Sequence, residues 1–172
     1  AIALEQVKKG AKLIVVDPRK TDLAARADLW LQLKPGTGPA LALSFLNVII
    51  EESRYDQEFV DQYTYGFEDL AQHFKNYSPE TVAEITGVPA DLIRQAARMY
   101  AEAKPATIMW GNAIEHSIHT FDYTRALVCL MGITANLEVP GGNVNAHDPK
   151  VMGLGQFVRA DLIPTKAKEM IS

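Results

Sequence analysis

Leu13-Ile14-Val15-Val16-Asp17-Pro18-Arg19 is the stretch on which the fold of this 172-residue chain turns. Leu13 to Val16 is a short apolar run, rich in β-branched side chains, that stops at Asp-Pro. That pattern predicts a central parallel strand, covered on both faces. Pro18 has no N–H for a sheet ladder and restrains Asp17 to an extended backbone, so the strand ends there. The Asp17 carboxylate is then left at the carboxyl end of a strand, the edge where open α/β sheets bind ligands. Further on, Leu29-Trp30-Leu31-Gln32-Leu33 reads as a second strand. It runs into a second turn, Lys34-Pro35-Gly36-Thr37-Gly38-Pro39.

Working outward, Ala1-Ile2-Ala3-Leu4-Glu5-Gln6-Val7-Lys8-Lys9-Gly10 reads as the last turns of an amphipathic helix. Lys8 and Lys9 suit its negative end, and Gly10 suits a C-cap. A helix feeding a parallel strand implies an earlier strand, so the chain is expected to begin inside a βαβ unit of something larger. After the second turn, Thr37 or Gly38 can cap a helix over residues 40–52, with Pro39 at its first position. That helix is apolar on most sides and is expected to be buried.

Residues 55–87 read as a helical insert, with candidate helices at 56–63 and 67–74. Ser78-Pro79-Glu80 is a helix start and Gly87 its stop. The clearest helix runs from about 90 to 103, with Leu92, Ile93, Ala96, Ala97 and Tyr100 on one stripe. Ala106-Thr107-Ile108-Met109-Trp110 reads as a third strand. A polar loop, Glu115-His116-Ser117-Ile118-His119, follows it. Thr120 is then expected to cap a helix over 121–131, with Gly132 as its stop. The alternation predicts a three-layer α/β/α domain with a mainly parallel sheet over residues 1–146, and a loop-rich tail over 147–172.

Composition narrows the function. The formal net charge of −4 gives no electrostatic footprint for nucleic acid or an acidic membrane surface. The longest apolar run, residues 40–50, is interrupted by Ser44 and Asn47, so no direct membrane insertion is expected. Cys129 is the only cysteine, which excludes an internal disulfide and a cysteine-based metal cluster within the chain.

The residues that could carry chemistry lie after the strands. An acid at the Asp17 position can accept hydrogen bonds from a ribose or a base, and equally can cap the turn before Pro18. Gly36-Thr37-Gly38 combines small residues with a helix N-terminus, which suits either an anion or an ordinary tight turn. It is not a Gly-x-Gly-x-x-Gly fingerprint, because Leu41 fills the last position. Trp110-Gly111-Asn112 follows the third predicted strand, with His116 close behind. Glu115, His116 and His119 make a metal pair conceivable but lack a third ligand at useful spacing. Cys129 reads as a buried, inert thiol. No P-loop, nucleophile elbow or Ser-His-Asp spacing is present.

Taken together, these stretches resemble the molybdopterin oxidoreductases of the dimethyl sulfoxide reductase type, which include formate dehydrogenases and periplasmic nitrate reductases. The resemblance is carried by Gly10-Ala11-Lys12-Leu13-Ile14-Val15-Val16-Asp17-Pro18-Arg19, then Ala24-Ala25-Arg26-Ala27-Asp28 and Pro35-Gly36-Thr37. It continues through Glu84-Ile85-Thr86-Gly87-Val88 and Ile93-Arg94-Gln95-Ala96-Ala97-Arg98-Met99-Tyr100. Gly132-Ile133-Thr134-Ala135-Asn136-Leu137, close to the family's Thr-Gly-Asn-Leu, and Pro140-Gly141-Gly142 complete it.

The resemblance implies a bis(molybdopterin guanine dinucleotide) cofactor carrying molybdenum or tungsten, with this domain holding one guanosine arm. Asp17, Pro18, Arg19, Lys20 and Thr21 match the segment that contacts the guanosine, and Gly36, Thr37 and Gly38 match a second guanine-contacting turn. Many members have Asp where this chain has Gly38, which removes a carboxylate that would accept from the guanine N1 and N2 groups. Asn112 and His116 match positions nearer the pterin, where relatives often carry Met and Gln.

The family's metal ligand and its 4Fe-4S cysteines lie in segments that this chain does not match. No residue here is therefore expected to be catalytic or to bind the metal. The implied partners are other domains of the same polypeptide and an electron-transfer iron–sulfur subunit. The compartment is open between cytoplasm and periplasm of a prokaryote. Two other readings stand beside this one: a fragment of a nicotinamide-dependent dehydrogenase and a non-enzymatic interaction module.

Overall fold

A computed structural model describes residues 2–144 of the chain. Helix α1 (Ile2–Lys8) leads into strand β1 (Ile14–Val16), a 3₁₀ turn (Ala24–Arg26) and strand β2 (Leu29–Leu31). The remainder is helical: α2 (Gly38–Glu51), α3 (Gln57–Tyr63), α4 (Phe67–Phe74), α5 (Pro79–Thr86), α6 (Ala90–Glu102), α7 (Asn112–Glu115) and α8 (Thr120–Ile133).

The strands pair in parallel, with Ile14 opposite Leu29, Val15 opposite Trp30 and Val16 opposite Leu31. Asp28 pins the start of this register. Its Oδ2 accepts from the Leu13 N–H at 2.9 Å and its Oδ1 from the Lys12 ammonium at 2.9 Å. Those bonds hold its carboxyl below the usual carboxylate range. On β2 and its extension the side chains alternate: Leu29, Leu31 and Leu33 are buried, while Trp30 and Gln32 stand on the other face. β1 is less covered than its apolar run predicts, with Ile14 and Val15 half-buried and Val16 exposed. A run that is apolar on both faces records a sheet buried on both faces, and the described residues cover only part of that surface.

Helix α2 is the centre of the core. Leu46 and Ile49 on it are fully buried, and it packs against α4, α5, α6 and α8. The insert follows its caps. Asp56 Oδ1 accepts from the Phe59 N–H at 2.9 Å, and Ser78 Oγ accepts from the Thr81 N–H at 3.3 Å. Gly87 ends α5 with φ +79°, a conformation that costs glycine nothing.

Three expectations are corrected. Residues 106–110 pair with no strand among the described residues. Instead, side chains stand in for a strand: Asn136 Oδ1 accepts from the Ala106 N–H at 2.8 Å. Asn143 both accepts from the Ile108 N–H and donates to the Ile108 carbonyl, each at 2.8 Å. Thr120 does not cap α8 but is its first residue, and its hydroxyl donates back to the carbonyls of Ile114, Glu115 and Ser117. Nor does Gly132 stop α8. The helix runs on to Ile133, where the buried Thr134 hydroxyl bonds the Leu130 carbonyl at 2.7 Å. The tail predicted over 147–172 lies outside the described residues.

Candidate functional site

The loop after β1 is held from three directions. Asp17 N–H still donates to the Leu31 carbonyl at 3.3 Å, extending the ladder by one bond. The Asp17 carbonyl accepts from the Trp30 indole at 2.9 Å, and the Pro18 carbonyl accepts from the Gln32 amide at 3.1 Å. Asp17 Oδ1 turns back to accept from the Arg19 N–H at 2.7 Å. The capping reading of Asp17 is therefore real. It uses one carboxylate oxygen, and Oδ2 takes no hydrogen bond among the described residues.

Arg19 and Lys20 project from this loop. The Arg19 side chain is 83% exposed and lies 3.7 Å from Asp17 Oδ1, and the Lys20 ammonium stands 6.0 Å above the Trp30 ring. Thr21 starts the 3₁₀ turn, its hydroxyl accepting from the Ala24 N–H at 3.2 Å. The loop thus offers one free carboxylate oxygen and two cations on a backbone that the adjacent strand has fixed.

The second turn is built differently. Gly36 has φ +83°, which L side chains rarely adopt, so the chain can reverse there only at glycine without strain. The Thr37 hydroxyl donates to the Lys34 carbonyl at 2.7 Å and is spent within the turn. The Lys34 N–H donates to the Thr86 carbonyl at 2.8 Å, tying the turn to the end of α5. Pro39 has no N–H, and those of Gly38 and Ala40 find no acceptor among the described residues. Gly38 itself is buried, and a Cβ built on it would lie 2.6 Å from Tyr123.

Asn112 opens the short helix α7 and His116 ends it, both exposed. No hydrogen bond, ion pair or ring contact joins residues 112–116 to 17–21 or 36–38 among the described residues. The link between them is α8. It starts directly after His119, whose carbonyl accepts the Tyr123 N–H at 2.9 Å, and Tyr123 reaches Gly38. No group of three His, Cys, Asp or Glu suited to a metal exists among the described residues. Cys129 is half-buried, and burial pushes its thiol up, against the nearby Arg125. Two surface depressions, of about 380 and 520 Å³, lie away from these turns. The smaller is lined by Tyr55, Val60 and Phe67, the larger by Lys12, Arg98 and Met99.

Sequence reading missed Trp30, Gln32 and Tyr123. Trp30 and Gln32 carried a signal, a two-residue spacing on the polar face of a strand. Tyr123 carried none, because its partner lies on a distant helix.

The fold and these turns define a parallel α/β domain that gathers its polar loops at the carboxyl ends of its strands. The chain belongs to the molybdopterin oxidoreductase family, whose model matches residues 1–171. It is 46% identical over 138 residues to "Formate dehydrogenase H" of Escherichia coli (strain K12), covering 80% of this chain and 19% of that protein. It is 37% identical over 164 residues to "Acetylene hydratase" of Syntrophotalea acetylenica, covering 95% of this chain and 22% of that protein. Among solved structures, "Acetylene Hydratase from Pelobacter acetylenicus" superposes with a TM-score of 0.82 at 36% identity, covering 97% of this chain and 23% of that one. The chain spans about a fifth of the length of these relatives. Membership of this family is the outcome expected of the first of the three sequence readings.

Proposed function

We propose that this chain is the part of a molybdenum- or tungsten-dependent enzyme that holds one guanosine arm of a bis(molybdopterin guanine dinucleotide) cofactor. The observation that carries the reading is the loop over residues 17–21, at the carboxyl end of β1. Its backbone is fixed by Trp30 and Gln32, and Asp17 Oδ2 is left unbonded. The donor set fits the group. A carboxylate oxygen suits ribose hydroxyls or base N–H groups, and the exposed Arg19 and Lys20 suit phosphate oxygens. The turn over 36–38 adds the free N–H groups of Gly38 and Ala40 at the start of α2. Asn112 and His116 are proposed to lie toward the pterin.

When bound, the metal and pterin supply the redox or hydration chemistry of the whole enzyme. The residues here bind and orient the nucleotide end, and the chain alone is inactive. The relatives' names span a formate dehydrogenase, a thiosulfate reductase and a hydratase, so holding the cofactor does not by itself choose the substrate. A 4Fe-4S cluster and the metal ligand belong to other segments of the longer polypeptide, and electrons pass to an iron–sulfur subunit. The partners of this chain are then the remaining domains. The extended segment 106–110, whose Met109 is 83% exposed, and the exposed Ile118 and Phe121 are the surface they cover.

Titrating the isotope-labelled chain with GDP, ADP and NAD, followed by NMR, tests the reading. Shifts at residues 17–21 and 36–38 with GDP, and weaker ones with the adenine nucleotides, are expected. Equal or stronger response to ADP or NAD would remove the guanosine assignment, and so would the absence of any response.

A further inference from the structure

Gly38 is small, but there is no empty space above it. The ring of Tyr123 fills that space, with Cε1 and the phenol oxygen each 2.6 Å from where a Cβ would stand. Position 38 and position 123 therefore share one volume, at the first turn of α2. The phenol belongs to α8, a helix that packs along α2 in the core, so its position is set by rigid elements rather than by the turn. Its hydroxyl makes no hydrogen bond among the described residues, although Tyr123 is half-buried. Burial pushes the phenol's pKa up, so the group is an uncharged hydroxyl, able both to donate and to accept. The first turn of α2 offers only backbone N–H groups of its own, and the Thr37 hydroxyl is already spent on Lys34.

We propose that Tyr123 is the base-contacting residue of this nucleotide turn, its phenol O–H meeting the 6-oxo edge of a purine where no side chain at position 38 can. The inference rests on the cofactor reading above. Its consequence is a particular selectivity. A carboxylate can accept from guanine N1–H and the 2-amino group together, and so requires both. A single O–H donor to the 6-oxo edge is indifferent to the 2-amino group, which hypoxanthine lacks. At the 6-amino group of adenine the same hydroxyl accepts instead of donating, so it does not by itself separate the two bases. Guanine and hypoxanthine nucleotides are then bound alike.

The test is an NMR titration of the chain and of Tyr123→Phe with GDP and IDP. Phenylalanine keeps the ring and removes only the hydroxyl, so the spectrum away from the turn is expected to be unchanged. The wild-type chain is expected to bind GDP and IDP within about threefold of each other. In Tyr123→Phe, both are expected to weaken by roughly three- to tenfold. A role of the ring in packing alone would leave both affinities unchanged. Unchanged GDP and IDP binding in Tyr123→Phe would overturn the inference and leave the cofactor reading standing. So would a wild-type preference of more than about tenfold for GDP over IDP, which requires a reader of the 2-amino group. Failure of the wild-type chain to respond to GDP would overturn the cofactor reading itself.

Discussion

Asn143 does with one side chain what a neighbouring strand does with a backbone. Its amide accepts from the Ile108 N–H and donates to the Ile108 carbonyl, both at 2.8 Å, and Asn136 takes the Ala106 N–H two residues earlier. Only a primary amide presents a donor and an acceptor side by side in this way. Asn143→Leu is expected to leave both Ile108 groups without protein partners and to cost about 1–3 kcal/mol. Urea denaturation reads the cost, and hydrogen exchange reads the site: the Ile108 amide should exchange faster while amides in α2 keep their protection. Uniformly faster exchange would mean that the contact supports the whole fold rather than this segment. Asp17 shows the same economy, capping its turn through Oδ1 while Oδ2 stays available.

Between elements, the join of α2 to α6 is electrostatic at its rim. Glu52 follows the last residue of α2, where the helix dipole disfavours an acid. It is held there by Arg98, which donates from Nε and Nη2 at 2.8 and 2.7 Å, and by Arg54 at 2.7 Å. Arg98 first, and then Arg54, lower the Glu52 carboxyl from 4.5 to about 2 against the cost of burial. A depressed carboxylate pKa contributes stability that is complete above the unfolded value and is lost as pH falls through the folded one. The chain is therefore expected to lose stability from this group between pH 4.5 and about 2. After solvent screening of this partly exposed cluster the loss is about 1–2 kcal/mol. Glu52→Gln should be less stable at neutral pH and should flatten that part of the acid limb, measured by urea midpoints across the range. An acid limb identical to the wild type would show that the cluster contributes nothing net.

For the molecule as a whole, burial is uneven. Leu46, Ile49, Val82 and Ile93 are fully buried between helices, whereas Ile118 is 95% and Phe121 is 76% exposed. Exposed apolar side chains of this size mark surfaces that a partner covers. With the chain spanning about a fifth of its relatives' length, self-association of the isolated chain at high concentration is expected. Sedimentation velocity should show it, and the Ile118→Ser, Phe121→Ser double variant should remove it without changing the response to GDP. Association that persists in the double variant would place the sticky surface elsewhere.

Except for the short α7, which the sequence did not announce, the helices could be read to within about two residues because their signals are local. Ser78-Pro79 starts α5 and Gly87 ends it, and the apolar stripe of α6 is written in steps of three and four. The end of β1 at Asp17 is equally local, since Pro18 has no N–H to extend a ladder. Family resemblance, too, was legible in ordered short motifs, and the match over residues 1–171 agrees with it. Residues 106–110 show where local reading stops. Their β-branched and aromatic content predicts a strand, but a strand is a pairing, and their partners here are the Asn136 and Asn143 side chains. The site follows the same rule. Asp17 and Gly36 could be found as turn residues, one by its proline and one by its glycine. That Trp30 and Gln32 hold the first loop, and that Tyr123 fills the space over Gly38, was decided only when the strands paired and α8 packed against α2. Those contacts join residues far apart in the chain, and nothing in the spacing of either partner encodes the other.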